Sequence, residues 1–597
     1  MFTRLLSSLS PCISLPYSPS SLFLLVLFLL VVLFFISRRS GTNHPSSPPL
    51  PHPSIPCIPR LPLLGSLPWL GGRLPPHLLF TRLVSRYGSL YALYLGPHYT
   101  VVVNDHQHAR EVLLQRGRDF AGRPSMVTTD LLTRGGKDIA FADYSPLWKL
   151  HRRLVHNSFT LFGEGSSRLQ DIVSVLELLS GGRRGFDPSP AVTRAITNVV
   201  CTLVFSATYR HGDAELQEVM QYNDGIVQTI ARGGLVDIYP WMKVFPNSSL
   251  RKLKDCIIVR DRLLTRKLEE HKASLSDGDP RDLLDALLKG KTDRSSGSEG
   301  ELITDDHVLM TAAEAFGAGV ETTSTTLLWI LAYLLHHPEV QDRVQKELDE
   351  QIGNDRAVSV SDRGRLPYLD CVINEGMRIR PVSPVLIPHT AMTRSSIGGH
   401  SVGPGTRVLV NMWSIHHDPR HWDKPDLFNP GSTGHTLLLP AIWGGASVCV
   451  GESLARLELF LFLSSLLQRM SFRLPDGGPS PNLQGRLGVV LQPLPYKVVV
   501  TPRAGWEGGA NRKISLSSPK SKPAQNQIPA SVEETFSFCQ NLLWNRRVVE
   551  SGQRQMTRKP GGRMCSRRNE DNVIPVRGVT HPKETMFAPC GTEGRRA

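Results

Sequence analysis

The sequence of 597 residues predicts a mostly helical protein with small β-sheets (class α+β) behind an N-terminal membrane anchor. Three observations favour this class. Segments with helical periodicity dominate the middle of the chain, strand-like runs are few and short, and one uninterrupted apolar run stands near the N-terminus. The nine cysteines form no C-x-x-C pair, which argues against a disulfide scaffold or a zinc ribbon and favours a reducing compartment.

The net charge of +15 does not by itself predict a nucleic-acid partner, because the charge is unevenly distributed. Residues 504–597 contain 16 Lys and Arg against 8 Asp and Glu, which is more than half of the excess. The remaining positive charge is spread over some 500 residues. A modestly basic main domain is better suited to docking an acidic protein or a membrane, so we expect no nucleic-acid binding.

The N-terminal part predicts a short lead (1–21), a single transmembrane anchor (22–37) and a proline-rich hinge (38–72). The apolar run LFLLVLFLLVVLFFI covers 22–36. A secretory signal peptide is the competing interpretation, but no A-x-A-like site follows, and Arg38-Arg39 comes directly after the run. Positive charge there would hold the following domain on the cytoplasmic side. The prolines predict a semi-rigid spacer.

Residues 73–503 predict one continuous, mostly helical domain, and 504–597 have the composition of a disordered basic tail. A hairpin is expected over 89–104, and strand-like pieces at 407–411 and 497–501. Helices are expected at 146–162, 190–206, 214–232, 251–273, 303–337 and 339–351.

The strongest helical signal, residues 311–335, carries Gly317 and Gly319 followed by Glu321, Thr322 and Thr323. Glycine in a helix costs about 1 kcal/mol relative to alanine, and a buried acid needs a partner. We therefore expect a local opening of this helix with a ligand against it. The alternative is a core helix that uses small residues for close packing.

Two pairs of side chains lie at helical spacing. Glu375 and Arg378 (i, i+3) share a face of a helix that ends before Pro381, an arrangement that is also common on protein surfaces. Trp148 and Arg152 (i, i+4) could together hold a carboxylate; alternatively, Trp148 is partly buried and Arg152 extends over it to water.

Cys449 stands in GGASVCVGES (444–453), directly before an apolar helical segment. The start of a helix favours a thiolate, and a thiolate is a metal ligand. One class of haem proteins holds its iron through a single cysteine. A buried free thiol is the alternative.

The order of these motifs is similar to that of the cytochrome P-450 family: W-x-x-x-R, then A-G-x-E-T, then E-x-x-R, then G-x-x-x-C-x-G. The resemblance covers 57–503, and the anchor and hinge resemble those of microsomal members. It implies the cytochrome P-450 haem-thiolate fold and a monooxygenase. The stretches GRPSM (122–126), QYNDGIVQTI (221–230) and VDIYPWMKVFPN (236–247), with FGAGVETT (316–323), resemble the steroid-hydroxylating members.

The resemblance implies haem (iron protoporphyrin IX) as cofactor, with Cys449 as the axial thiolate and metal ligand. Thr322, with Glu321 beside it, would relay protons. The residues that resemble partners of the haem, most of them facing its propionates, are Arg123, Trp148, Arg152, Ala318 and His389.

For the substrate, the resemblance implies a steroid that is hydroxylated at the 17-alpha position, of the pregnenolone or progesterone type. Asn223 and Arg260 resemble the polar groups that meet its A-ring end. The residues that resemble its apolar walls are Phe141, Ala318, Val382, Ile387 and Val489.

The expected partners are NADPH-cytochrome P-450 reductase, cytochrome b5 and the endoplasmic reticulum membrane. Arg116 and Arg363 match basic positions for cytochrome b5, but Asn374 stands where a third arginine is expected, so 17,20-lyase activity is expected to be weak.

Two departures from the family pattern leave an alternative open. PDLFNP (425–430) is followed by no E-R-F, so the Glu375–Arg378 pair is expected to lack an arginine partner, and Ile442 and Ser447 replace an expected aromatic residue and an expected arginine. The alternative is a catalytically impaired, haem-poor steroid-binding relative. A third hypothesis is a membrane-tethered interaction protein that acts through its basic tail.

Overall fold

The computed structural model describes residues 24, 26–28, 54–72, 74–161, 185–209, 212–231, 234–292, 303–431 and 448–504. The chain divides into two units, 1–513 and 514–597, and all described residues belong to the first. The predicted lead, most of the anchor, the hinge up to residue 53, Ile442, Ser447 and the tail after residue 504 lie outside the described residues.

Helices account for most of the described chain. They are α1 (Leu67–Leu70), α2 (Pro76–Tyr87), α3 (His106–Arg110, continued by a π-helical turn Glu111–Gln115), α4 (Val127–Leu132), α5 (Pro146–Leu161), α6 (Ser189–Phe205), α7 (Ala214–Ala231), α8 (Leu235–Ile238, followed by a 3-10 turn Pro240–Val244), α9 (Ser248–Ser274), α10 (Leu283–Thr292), α11 (Asp305–His336), α12 (Pro338–Gln351), α13 (Pro367–Ile379, preceded by a 3-10 turn Val360–Arg365), α14 (Met412–His416) and α15 (Glu452–Arg469). The predicted helices are confirmed, each within about three residues of its expected bounds.

The strands are short, as expected. They are β1 (Leu90–Leu95), β2 (His98–Val103), β3 (His389–Thr390), β4 (Ser395–Ile397), β5 (His400–Val402), β6 (Arg407–Val410), β7 (Met470–Arg473), β8 (Arg486–Leu487), β9 (Leu491–Gln492) and β10 (Val499–Pro502). The largest sheet has the order β1-β2-β6-β3, in which β2 and β6 are parallel and the other pairs antiparallel. The pairs β7–β10, β4–β5 and β8–β9 form small two-stranded sheets.

The predicted hairpin is β1–β2, and its turn shows why a glycine is needed there. Gly96 has φ +59°, and a Cβ at this position would lie 2.6 Å from Cγ2 of Ile238. Only glycine adopts this conformation and this close approach without strain. The turn therefore packs directly against α8, on the side where the chain leaves the helical core.

The long helix α11 is the centre of the molecule. Its second half, Thr323–Leu335, is buried throughout and packs against α6, α13 and α15. Its length and apolarity would suit a membrane span, but 78% of the apolar window is buried inside the protein, so α11 is a core helix. A helix that is apolar on all sides is expected at such a position.

Candidate functional site

One face of α11 is accessible at mid-helix although the helix is otherwise buried. Ala318 is exposed, and Glu314 and Thr322, four residues before and after it, are half-buried. Residues at this spacing share one helix face. An exposed alanine at the middle of a core helix faces an internal cavity, and we call residues 314, 318 and 322 the accessible face.

The predicted opening of this helix is not found, because α11 is continuous from Asp305 to His336. The hydroxyl of Thr322 donates to the carbonyl of Ala318 at 2.8 Å, four residues back, and so adds to the helical hydrogen bonds instead of breaking them. Gly317 and Gly319 serve close packing. A Cβ at either position would lie 3.3 Å from Oδ1 of Asn223 or from Cγ2 of Val200, respectively.

Glu321 points to a neighbouring hairpin. Its Oε1 accepts a hydrogen bond from Nε2 of Gln492 on β9, and Arg486 on β8 donates to Oε1 of Gln492 at 3.2 Å. Burial raises the pKa of Glu321, while the Gln492 bond favours the ionised form and limits the rise. Glu321 is thus an acid held at a defined place beside Thr322.

Cys449 lies three residues before Glu452, where α15 begins. Its side chain is reached by solvent, but the surrounding protein raises the pKa of the thiol by desolvation. The helix start does not dominate as the sequence suggested, because a hydrogen bond from the Gly451 N–H lowers the pKa by less than burial raises it. The free thiol is therefore protonated at neutral pH, and binding a metal would release this proton.

Arg152 lies near this thiol, and Arg123 interacts electrostatically with Arg152. Arg152 donates to the carbonyl of Val448, the residue before Cys449, and its guanidinium lies 5.4 Å from the centroid of the Trp148 ring. This confirms that Trp148 and Arg152 share a helix face. Arg123 donates to the carbonyls of Ile387 (3.1 Å) and Pro388 (3.0 Å). Burial lowers the pKa of Arg123 to about 10, so it keeps its charge at pH 7.

The two other predicted haem partners bind backbone carbonyls. The indole N–H of Trp148 donates to the carbonyl of Ile139 at 2.9 Å, and Nδ1 of His389 lies 2.8 Å from the carbonyl oxygen of Phe120. Burial lowers the pKa of His389 to about 3, so its ring is neutral. Each of these two side chains fixes a loop beside the site.

These residues fit a haem group. A haem needs one axial ligand, cations for its two propionates and a small residue where the ring lies against a helix. Cys449 offers the ligand, Arg123 and Arg152 offer the cations, and Ala318 offers the small accessible residue. The donor set is that of a thiolate-ligated iron.

The predicted apolar substrate residues are accessible to different degrees. Ile387 and Val489 are 38% and 44% exposed, which is high for apolar side chains in loops of the interior. The carbonyl of Val382 accepts the N–H of Leu491 at 2.8 Å, which joins two of the predicted walls. Phe141 is half-buried.

The two predicted polar partners differ in how far they are already engaged. Asn223 is buried and lies against Gly317, one residue from Ala318. Arg260 is buried as well, but it donates to the carbonyl of Leu132 at 2.8 Å and to the carboxylate of Asp261. Arg260 therefore ties α9 to α4, and Asn223 is the one that lies beside the accessible face.

The E-x-x-R pair is buried, with Glu375 1% and Arg378 2% exposed, and it does not lack partners. Arg378 contacts both carboxylate oxygens, at 2.6 and 2.9 Å, and donates to the carbonyls of His416, Pro425 and Leu427. Oε1 of Glu375 also accepts the N–H of Asn429 at 2.8 Å. The backbone of PDLFN (425–429) thus supplies partners to the pair, and the expected absence of an arginine partner stays a prediction.

Three polar residues of the site were missed by the sequence analysis. Glu314 lies four residues before Ala318 and eight before Thr322, and this spacing could have revealed it. Asp138 and Gln492 carry no such signal, because each reaches the site from a distant loop or strand.

Comparison with known proteins identifies the family of the chain. The family model described as Cytochrome P450 matches residues 55–500. Steroid 17-alpha-hydroxylase/17,20 lyase of Ictalurus punctatus is 50% identical over 470 residues, which are 76% of this chain and 91% of that protein. The protein of the same name from Gallus gallus is 48% identical over 503 residues, 81% of this chain and 99% of that protein.

A solved structure described as zebra fish cytochrome P450 with progesterone is also similar. It is 62% identical, has a TM-score of 0.67, and is covered completely by 72% of this chain. A second structure of zebra fish cytochrome P450, with abiraterone, is 60% identical with a TM-score of 0.66. From its matched length, its fold and its relatives, the chain belongs to the cytochrome P450 family.

Proposed function

We propose that this protein is a haem-thiolate monooxygenase that hydroxylates a steroid of the pregnenolone or progesterone type at the 17-alpha carbon. The observation that carries the proposal is the accessible face of α11. It occurs together with an exposed thiol, that of Cys449, which has the guanidinium of Arg152 beside it. Relatives named steroid 17-alpha-hydroxylase/17,20 lyase and a related structure with progesterone support the choice of substrate.

The cytochrome P450 family uses haem with cysteine thiolate ligation. When bound, the haem supplies the activation of O2, so that one oxygen atom enters a C–H bond and the other leaves as water at the expense of two electrons and two protons. Cys449 would ligate the iron, and Arg123 and Arg152 would hold the propionates. The protein's own task is to fix one steroid carbon beside this centre.

The side chains around the accessible face suit a rigid, mostly apolar plate with few polar groups. Phe141, Val382, Ile387 and Val489 would form the walls, and Ala318 leaves room for the plate beside the helix. Asn223, whose Oδ1 lies beside Gly317, would receive a polar group at one end. Arg260 would support the same end of the pocket indirectly, because it holds α9 against α4.

Proton delivery is assigned to Thr322 and Glu321. Thr322 lies on the accessible face, and its hydroxyl is oriented by the carbonyl of Ala318. Glu321 is the adjacent acid, and Gln492 fixes its carboxylate. A hydroxyl next to an acid with a raised pKa can pass a proton into a site that excludes bulk water.

Electrons would come from NADPH through a flavoprotein reductase with an acidic docking surface. A cavity of about 470 Å³ beside the Cys449 loop is lined by several cations, among them Arg118, Lys149, Arg152 and Arg153. A concentration of one sign of charge steers an acidic partner. This surface supports docking of the reductase near Cys449.

Cytochrome b5 is proposed as a second partner on the basic side. Asn374, the position where an arginine was expected, accepts a hydrogen bond at 2.7 Å from Arg456, so a guanidinium lies at this position after all. Arg363, in the 3-10 turn before α13, lies 3.5 Å from Asp370, which is on α13 as Asn374 is. Weak 17,20-lyase activity stays a prediction, to be measured with and without added cytochrome b5.

The proposed location is the cytoplasmic side of the endoplasmic reticulum membrane, with the anchor at 22–37. Large apolar side chains are exposed on two neighbouring segments: Leu63, Leu64 and Trp69 on one, and Leu235, Trp241, Val244 and Phe245 on the other. The hydroxyl of Tyr239 donates to the carbonyl of Leu63 at 2.8 Å and so joins the two segments. An exposed apolar patch of this kind suits a membrane surface.

The test is the difference spectrum of the reduced protein with carbon monoxide. We expect a red-shifted Soret band in the wild type, its loss in Cys449→Ala, and its retention in Cys57→Ala, which removes another exposed free thiol. With reductase and progesterone, mass spectrometry should detect a 17-alpha-hydroxylated product. An intact band without any steroid product would overturn the substrate, and a missing wild-type band would favour the haem-poor alternative.

A further inference from the structure

We propose that Glu314 is a positioning residue of the steroid pocket. It holds the loop segment 138–141 against α11, and this segment carries the proposed wall residue Phe141. The inference rests on the proposed function in one respect only, namely that Phe141 contacts the substrate. The contact between Glu314 and the loop stands independently of it.

Two helices hold the backbone of Ile139 from opposite sides. Oε2 of Glu314 on α11 accepts the N–H of Ile139 at 2.8 Å. Nε1 of Trp148 on α5 donates to the carbonyl of Ile139 at 2.9 Å. The segment belongs to no helix or strand, so these two side chains supply the hydrogen bonds that regular structure would otherwise give.

Asp138 extends this grip to the wall residue. Its Oδ2 accepts the N–H of Phe141 at 3.1 Å, which closes a tight turn over 138–141. Asp138 is only 2% exposed, and among the described residues its Oδ1 has no hydrogen-bond partner. The Asp138 bond closes the turn, and the attachment of the turn to α11 depends on Glu314.

The location of Glu314 connects the loop to the reaction site. It shares the accessible face with Ala318 and Thr322, so the segment is attached to the surface on which the substrate would lie. Asp138 and Glu314 both act electrostatically on Arg123, which binds the carbonyls of Ile387 and Pro388. Arg123 thereby connects the two proposed walls. It interacts with the charges of Asp138 and Glu314 near Phe141, and it binds the backbone at Ile387.

The consequence is a role in substrate specificity. A rigid apolar plate is held by the width of its slot, and Phe141 defines one side of that slot. Release of segment 138–141 should therefore weaken steroid binding and allow more than one carbon to approach the centre. The maximal rate of electron use should change less, because Glu314 does not hold Thr322 or Cys449.

The experiment combines hydrogen–deuterium exchange with steroid titration of the haem-loaded protein. The variants are Glu314→Ala, which removes the acceptor; Glu314→Gln, which keeps it; and Glu314→Asp, which keeps the charge but is shorter. The matched control is Glu347→Ala. Glu347 also accepts two backbone N–H groups, those of Tyr368 and Leu369, but it lies on α12.

We expect faster exchange of the Ile139 and Phe141 amides, and about ten-fold weaker progesterone binding, in Glu314→Ala. Glu314→Asp should show a smaller change in the same direction, and Glu314→Gln should restore both values. In Glu347→Ala, exchange should rise at residues 368–369 with no change in the affinity for progesterone. The ratio of 17-alpha product to other hydroxylated products should fall in Glu314→Ala and, to a smaller extent, in Glu314→Asp, but not in Glu314→Gln or Glu347→Ala.

Unchanged exchange at 139 and 141 in both Glu314→Ala and Glu314→Asp would overturn the proposal that Glu314 holds segment 138–141. Faster exchange with unchanged steroid affinity and product ratio would overturn the role in specificity. If Glu314→Ala does not fold, Glu314→Asp against Glu314→Gln decides the same question. Failure of the wild type to bind progesterone would instead reject the proposed function. The exchange result would still show whether Glu314 holds segment 138–141.

Discussion

Two of the buried groups of charges in the described part of the chain differ in how completely they are paired. Around Glu375 and Arg378, both carboxylate oxygens bind the guanidinium, and the remaining contacts go to backbone groups of 416 and 425–429. Around Asp138 and Glu314, one carboxylate oxygen has no hydrogen-bond partner among the described residues. The first group holds the fold together, whereas the second keeps polar capacity beside the accessible face. Full pairing thus distinguishes a structural site from one that serves function.

The largest expected effect comes from breaking the fully paired group. Arg378→Ala should leave the Glu375 carboxylate buried without its counterion and remove three backbone contacts, at a cost of about 3–5 kcal/mol. Thermal unfolding and haem content would both fall sharply. Lys346→Ala, which removes the partner of Glu350 in a pair whose two side chains are both exposed, is the control and should change little. Similar melting curves for Arg378→Ala and the wild type would show that the pair is not structural.

A smaller effect is expected where a polar group serves the chemistry. Gln492→Leu removes the hydrogen bond that favours ionised Glu321, so the pKa of Glu321 should rise further. Because the proton donor is the protonated carboxyl, the alkaline limb of the pH–rate profile should move up by about half to one pH unit, and less product should form per NADPH because this carboxyl is no longer fixed. Stability should hardly change.

The control for this prediction is Gln484→Leu, an exposed position in the loop before β8. An unchanged pH profile in Gln492→Leu would mean that Glu321 does not take part in proton delivery.

The smallest effect concerns a third buried pair, whose cation, unlike Arg378, can lose its charge. His271 on α9 lies 2.8 Å from Asp282, which precedes α10, and both are buried. Burial disfavours the charged ring, but the bond to Asp282 outweighs it, so the pKa of His271 is raised.

Because the folded-state pKa of His271 is raised, its stabilisation is fully present below the unfolded value near 6.5 and is lost as pH rises through the folded value. The difference in unfolding free energy between the wild type and His271→Ala should therefore shrink by about 1 kcal/mol from pH 6 to pH 9. Denaturant unfolding at several pH values measures it, and a difference that is constant with pH would contradict the ion pair.

Local sequence signals predicted much of the fold. Apart from α8 and α10, which were not predicted, the helices from Pro146 to Gln351 follow from apolar periodicity and, for those that begin at Pro146, Ser189 and Pro338, from a proline at the start. Both signals act within a few residues. The spacing of Glu375 and Arg378 predicted their contact for the same reason. The continuity of α11 was not predicted, since the expectation weighed the cost of two glycines but not the packing of Asn223 and Val200 against them.

The polar contacts of the site could not be predicted in this way. Ile139 and Glu314 are 175 residues apart in sequence, and Glu321 and Gln492 are 171 apart. No local pattern links such positions, because the fold alone brings them together. The backbone partners of Arg378 from 425–429 were likewise invisible, since any sequence can offer a carbonyl.

The hairpin 487–492 places Val489 and Gln492 three residues apart on the same short turn. One of them is a proposed seat for the substrate, and the other holds the acid Glu321. A ligand that displaces Val489 must therefore also alter the grip on that carboxylate. Such coupling is reciprocal: whatever steroid occupancy does to the proton affinity of Glu321, protonation of Glu321 does to steroid affinity by the same factor. Steroid affinity would then depend on pH, and the pKa of Glu321 would depend on whether steroid is bound.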